Sequence, residues 1–170
     1  MSVVTGPDSR QTLRLLIERY QRDLLRTCTI LLRDAHLAED AVQETFLQAY
    51  KSLHKFRGES SVRTWLMRIA INTCRNMQRR AWFRHEDRRV DLDTLPVATD
   101  GMSETNIALM SEVMRLPQKE KEAVLLYYYQ EMTAREAARA LGVTASIVTK
   151  RLSRARVRLR EALGGVDDEA

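Results

Sequence analysis

The chain has 170 residues, enough for one ordinary domain or two small ones. Hydrophobic residues make up 44%, aromatics only 6%, and there are just six Gly and three Pro, which supplies a core but disfavours a β-rich fold and points to helices. The net charge of +5 is spread unevenly. Between Arg63 and Arg89 eight Arg stand against Glu86 and Asp87, between Val90 and Glu104 there are four acids and no base, and between Ile147 and Arg160 there are six bases and no acid. Two basic blocks either side of an acidic joint suit two contacts with one polyanion.

Residues 1–8 read as a loose leader. Asp8 or Ser9 can cap a first helix running to about Leu32, with an apolar stripe of Leu13, Leu16, Ile17, Tyr20, Leu24, Cys28 and Leu31. Arg33 to His36 breaks that pattern, and a second helix is predicted from about Leu37 to Leu53. Its buried side is Ala38, Ala41, Val42, Phe46, Ala49 and Leu53. Asp40, Gln43, Glu44 and Leu47 recur at helical spacing on the other side. Three readings fit them: a carboxylate pair for metal or acid–base work, an acidic docking surface with one apolar residue at its centre, or an ordinary solvated face.

The loop Phe56-Arg57-Gly58-Glu59 follows, and Ser60 or Ser61 can cap the next helix. That helix carries an apolar stripe of Val62, Trp65, Leu66, Ile69, Thr73 and Met77 and is predicted to reach Phe83. Arg68, Asn72, Arg75 and Arg79 line another face. Guanidinium groups neutralise phosphate and an amide reads a base edge, so loop and face together suit a single-stranded nucleic acid; a solvated basic face is the plainer reading.

Residues 86–103 hold Pro96, Gly101 and no apolar periodicity, and read as a flexible acidic linker between two domains, 9–85 and 104–163. In the second domain a short helix (Ile107, Leu109, Met110, Val113, Met114) ends at Leu116. Pro117 fits the first position of the next, which spans Gln118 to Tyr129. Tyr127, Tyr128 and Tyr129 can stack bases, yet side chains about 100° apart on a helix favour core packing. Thr133 and Glu136 form a capping box, the helix stops at Gly142, and Thr144 caps a last helix to about Leu163. Small Ala138, Gly142 at the turn and Val148 as an apolar plug are the marks of a helix-turn-helix. Val148, Leu152, Ala155 and Leu159 face inward. Ser146, Thr149, Lys150, Ser153 and Arg154 face outward, where they can reach base edges in a major groove, and Arg156, Arg158 and Arg160 suit phosphates or another protein.

Cys28 and Cys74 stand apart on helical patterns, which argues for small buried side chains in a reducing compartment rather than a metal knuckle. His36, His54 and His85 have no ligand spacing. No Gly-rich phosphate loop, nucleophile–base pair or HExxH-type word occurs, so no cofactor, metal or catalytic residue is assigned. No apolar run approaches the roughly 18–20 residues that span a bilayer. The N-terminus lacks the order of a signal peptide, so a cytoplasmic protein without membrane insertion is expected.

DAVQETFLQAYKSL (Asp40 to Leu53), FRGESS, TWLMRIAINT and the long word from Leu116 to Leu159, LPQKEKEAVLLYYYQEMTAREAARALGVTASIVTKRLSRARVRL, together resemble a bacterial sigma factor of the extracytoplasmic-function type. The resemblance implies an all-α protein of two small domains, regions 2 and 4, the second a helix-turn-helix. It implies binding to core RNA polymerase through the β′ clamp helices and the β flap, promoter DNA as ligand, and an anti-sigma factor as partner. It assigns Asp40, Gln43, Glu44 and Leu47 to clamp docking. Phe56, Arg57, Gly58, Glu59, Ser60 and Ser61, with Asn72 and Thr73 behind them, go to a flipped base of the −10 element, and Arg68, Arg75 and Arg79 to the separated strand. Ser146, Thr149, Lys150, Ser153, Arg154 and Arg156 go to the −35 duplex. Trp65 matches a family position but is read as core. Ser146-Ile147 stands where many relatives have Gly-Thr. A helix-turn-helix regulator acting on duplex alone would use residues 133–160 but leave 37–80 idle; a nuclease would rest on Asp40 and Glu44 alone.

Overall fold

The computed structural model describes residues 8–83 and 103–164, all of them helix, turn or short connection. The chain divides into two units, Met1–Arg89 and Val90–Ala170. Residues 1–7 of the leader and 86–102 of the linker lie outside the described residues.

In the first unit α1 (Asp8–Leu32), α2 (Ala35–Ser52) and α3 (Val62–Phe83) pack against one another, and a 3₁₀ turn (Leu53–Lys55) leads out of α2. The core is Leu24, Cys28 and Leu31 from α1, the six predicted residues of α2 and its neighbouring turn, and Leu66, Met67, Ala70, Ile71 and Cys74 from α3. Ala38, Ala41 and Ala49 are wholly buried, and residues this small let packed helices approach closely. Four threonines enter the core without an orphaned hydroxyl. Thr27, Thr29, Thr45 and Thr73 each donate to the carbonyl four residues back, at 3.0, 2.7, 2.6 and 2.8 Å.

Three expectations shift, and one open choice resolves. The N-terminal stripe of α1 closes only from Leu24 onward; Leu13, Leu16, Ile17 and Tyr20 are half-buried. Asp8 and Ser9 both lie within α1 rather than ahead of it. The break at 33–36 is itself a helix start. Arg33 turns left-handed (φ 55°), and the Asp34 carboxylate caps α2 by accepting from the amides of His36 (2.9 Å) and Leu37 (3.1 Å). Ser61, rather than Ser60, caps α3, accepting from the Thr64 amide at 3.1 Å.

The second unit is built from α4 (Glu104–Arg115), α5 (Gln118–Val124), a wide π turn (Leu125–Tyr129), α6 (Ala134–Leu141) and α7 (Ala145–Ala162). Ser103 caps α4, and Pro117 occupies the cap of α5 rather than its first helical position. In the π turn the Gln130 amide reaches five residues back to Leu125 O at 3.0 Å. The helix-turn-helix forms as its sequence reads. The Thr133 hydroxyl accepts from Glu136 N, and Gly142 closes α6 in the left-handed region (φ 70°). The amide of Val143 bonds Ala138 O at 3.0 Å, and Val148 is wholly buried.

Asp34 is 5% exposed and holds two otherwise orphaned amides. Asp34→Ala is expected to lower the stability of the first unit by about 1 kcal/mol, whereas Asp34→Asn keeps most of it. Urea denaturation of the full chain followed by circular dichroism checks both; equal midpoints for Ala and wild type would contradict the cap.

Candidate functional site

One helix, α3, shows how the first unit divides its surface. With about 100° between successive residues, Leu66, Met67, Ala70, Ile71 and Cys74 fall on one side and are at most 1% exposed. Arg68, Asn72, Arg75 and Arg79 fall on the opposite side, all exposed except half-buried Arg75. The buried face lies about a quarter-turn from the predicted stripe, of which Leu66 and Thr73 are buried. Val62, Trp65, Ile69 and Met77 are only half-buried, because α1 and α2 both pack on α3 and the small residues Ala70 and Cys74 carry the centre of the interface.

Trp65 therefore corrects from core to flank. Its ring lies 4.8 Å from that of Phe56 at 34°, which fastens the start of the loop to α3. Gly58 makes the turn at φ 74°, a conformation a side chain resists. Arg57, Gly58 and Glu59 are exposed, with Ser60 half-buried. At the far end the Ser61 hydroxyl also donates to Thr64 Oγ1 at 2.9 Å. The loop is pinned at both ends and open in the middle. Thr73 stands apart from the other candidates on α3. It is 4% exposed, its hydroxyl is given to Ile69 O, and it faces α2.

Asp40, Gln43, Glu44 and Leu47 share the outer face of α2, all exposed, with Leu47 at 54%. They form one wall of an open groove of about 320 Å³ whose other wall includes Thr73 and Met77 of α3. Gln48 donates to Glu44 Oε1 at 3.1 Å and steadies that carboxylate. An exposed leucine amid acids, beside a groove, has the composition of a docking surface. Among the described residues no three His, Cys, Asp or Glu side chains converge in a way that could hold a metal ion.

In the second unit Ser146, Thr149, Lys150, Ser153, Arg154 and Arg156 are all exposed on α7. Val148, Leu152 and Ala155 fix the opposite side in the core, and Leu159 is half-buried. The tyrosine run corrects the expectation of core packing. Leu126 enters the core, Tyr128 and Tyr129 remain 48% and 39% exposed, and Tyr127 is half-buried. The π turn inserts an extra residue per turn and so re-phases everything after Val124. Partial burial raises the Tyr129 phenol above its usual 10.0.

Sequence reading missed two tethers of α7. Arg156 Nε donates to the Tyr128 phenol at 2.6 Å, and Arg158 Nε pairs with Glu120 Oε2 at 3.0 Å. Glu120, Lys121 and Glu122 are buried at the α5 end of this contact, and Gln118 donates to Glu122 Oε1 at 2.9 Å. The available signal was charge balance: an arginine-rich helix packed on a neighbour needs acids there, and α5 carries them.

The Sigma-70 region 2 family matches residues 16–84, and the Sigma-70 region 4 family matches residues 100–159. The chain belongs to the extracytoplasmic-function sigma factors. It is 36% identical over 150 residues to the extracytoplasmic-function RNA polymerase sigma factor SigM of Mycobacterium tuberculosis H37Rv, covering 88% of this chain and 76% of that one. It is 31% identical to SigM of Bacillus subtilis 168 over 170 residues, covering 93% and 99%. The fold is similar to that of RpoE solved with the anti-sigma factor NepR from Bartonella quintana (TM-score 0.73, 24% identity, 95% of this chain and 100% of that one). It is similar also to CnrH solved with the cytosolic domain of CnrY (TM-score 0.70, 23% identity, 93% and 91%). This sigma factor is an alternative factor for transcription initiation. Its three tracts of candidate residues fall within the two matched regions, and among its described residues no helix is long and apolar enough to cross a membrane.

Proposed function

We propose that this sigma factor binds core RNA polymerase, reads a −35 element as duplex with α7, and captures melted −10 DNA with the 56–61 loop and α3, so promoting promoter opening. The observation that carries the reading is the strip Arg68, Asn72, Arg75 and Arg79, exposed except for half-buried Arg75, on the helix whose start carries a loop pinned by the Phe56–Trp65 stack and the Ser61 cap. Unstacking a base costs a few kcal/mol, which hydrogen bonds and stacking must return. The Asn72 amide offers a donor and an acceptor to a base edge, the 56–61 loop supplies the surface that receives the flipped base, and the arginines hold the strand's phosphates. Thr73, with its hydroxyl already spent, contributes to holding α3 on α2 rather than to DNA.

On α7, Thr149, Lys150, Ser153 and Arg154 face the major groove, Arg156 meets phosphate at the flank, and Ser146 approaches the DNA backbone at the helix N-terminus, where the departure at Ser146-Ile147 falls. Asp40, Gln43, Glu44 and Leu47 dock on the β′ clamp helices, and region 4 meets the β flap. An anti-sigma partner is proposed on the precedent of RpoE and CnrH, whose solved structures are complexes with NepR and with CnrY. The chain performs no covalent chemistry of its own; the polymerase does, in the cytoplasm where it works.

Asn72→Ala is expected to lower open-complex formation on a cognate promoter about ten-fold, as loss of one base contact should, with core affinity unchanged. Permanganate footprinting reads the first and titration of labelled protein with core reads the second; unchanged opening would contradict the base pocket. Reversing charge with Asp40→Lys and Glu44→Lys together should weaken core binding by about ten-fold or more. Equal affinity in the same titration would remove α2 from the polymerase interface.

A further inference from the structure

We infer that Tyr128 is a positioning residue for −35 recognition, holding Arg156 ready for a DNA phosphate; the inference rests on the proposed reading of α7. The π turn brings Tyr128 outward, where core packing was expected, and 28 residues later in the chain Arg156 meets it. Tyr127 packs edge-on against the Tyr128 ring, at 5.0 Å and 81°, and limits where that ring can turn. Arg156 Nε donates to the phenol oxygen at 2.6 Å, so the guanidinium lies off the hydroxyl end of the ring. The hydrogen bond, more than the 5.6 Å approach to the ring centre, defines the contact.

An arginine has five N–H donors in a rigid fork. With Nε on the phenol, the four N–H groups of the two terminal nitrogens remain for the two oxygens of a phosphate. Arg156 sits seven residues after Thr149, two turns along the same row of α7, so it flanks the proposed base-reading side chains rather than standing among them. A flexible side chain ordered before binding loses less freedom on contact. Of the three tyrosines in the π turn, Tyr128 is the most exposed, at 48%, and its hydroxyl fixes a cation at the edge of the recognition helix.

The test compares wild type with Tyr128→Phe, Arg156→Ala and the double variant, each assembled with core polymerase. The probe is a fluorescein-labelled duplex from the upstream half of a promoter that the wild-type holoenzyme transcribes, titrated over a salt series. Tyr128→Phe keeps the ring and is expected to weaken binding about five-fold, the worth of one hydrogen bond, with a salt slope shallower by up to about one phosphate. In the Arg156→Ala background it should change nothing. In the free full chain, the Arg156 Nε proton should exchange slowly with solvent in wild type and quickly in Tyr128→Phe. Equal affinity of Tyr128→Phe and wild type at every salt, or the same loss with Arg156 already removed, would overturn the positioning role alone. Failure of the wild-type holoenzyme to prefer this duplex over a scrambled one would overturn the reading of α7 itself.

Discussion

A helix has one circumference to divide, and α3 divides it between core, a half-buried flank and solvent. Leu66, Met67, Ala70, Ile71 and Cys74 are at most 1% exposed, and each large apolar side chain so buried is worth roughly 1.5–3 kcal/mol. That burial fixes the rotation of α3 about its own axis. With the rotation set, Arg68, Asn72, Arg75 and Arg79 point away from the core and cannot turn inward without exposing five apolar residues. The chemistry proposed for single-stranded DNA is thus held in register by side chains that never touch it. The loop gains its position the same way, through Phe56 on Trp65 at one end and the Ser61 cap at the other.

The second unit meets a different constraint, because α7 carries six bases from Lys150 to Arg160 with no acid among them. Like charges on adjacent turns repel and would loosen the helix from its neighbours. Two of those charges are instead turned to account against the α5 side. Arg158 meets Glu120 and Arg156 meets Tyr128, so the C-terminal half of α7 is tied down while the N-terminal half keeps its short polar side chains exposed. Separation of a tethered half from a reading half follows from where the partners lie.

Much of this was legible in the residues. Periodicity placed the helices to within a few residues, and small-residue and glycine spacing marked the helix-turn-helix, since Ala138, Gly142 and Val148 answer to local geometry. Three features were not legible, for three physical reasons. The cap at Asp34 was hidden because a break in apolar pattern looks the same whether or not a helix begins inside it. The true face of α3 was hidden because Trp65 and Ile69 draw the eye, whereas interface centres are filled by Ala70 and Cys74 when two helices press on a third. The exposure of Tyr128 was hidden because a π turn shifts phase by a residue and leaves no mark in composition. The acidic face of α2 was read correctly as exposed, but exposure alone does not choose between solvent and partner; family membership favours the partner.

The central claim is that this chain directs polymerase to start sites by gripping promoter DNA at two places. Run-off transcription with purified core enzyme from the same bacterium, on a library of its genomic fragments, tests it most directly. Discrete starts that need this protein, each preceded by a shared pair of upstream words, are the predicted result. No protein-dependent start on any fragment, with a core preparation that responds to its housekeeping factor, would contradict it.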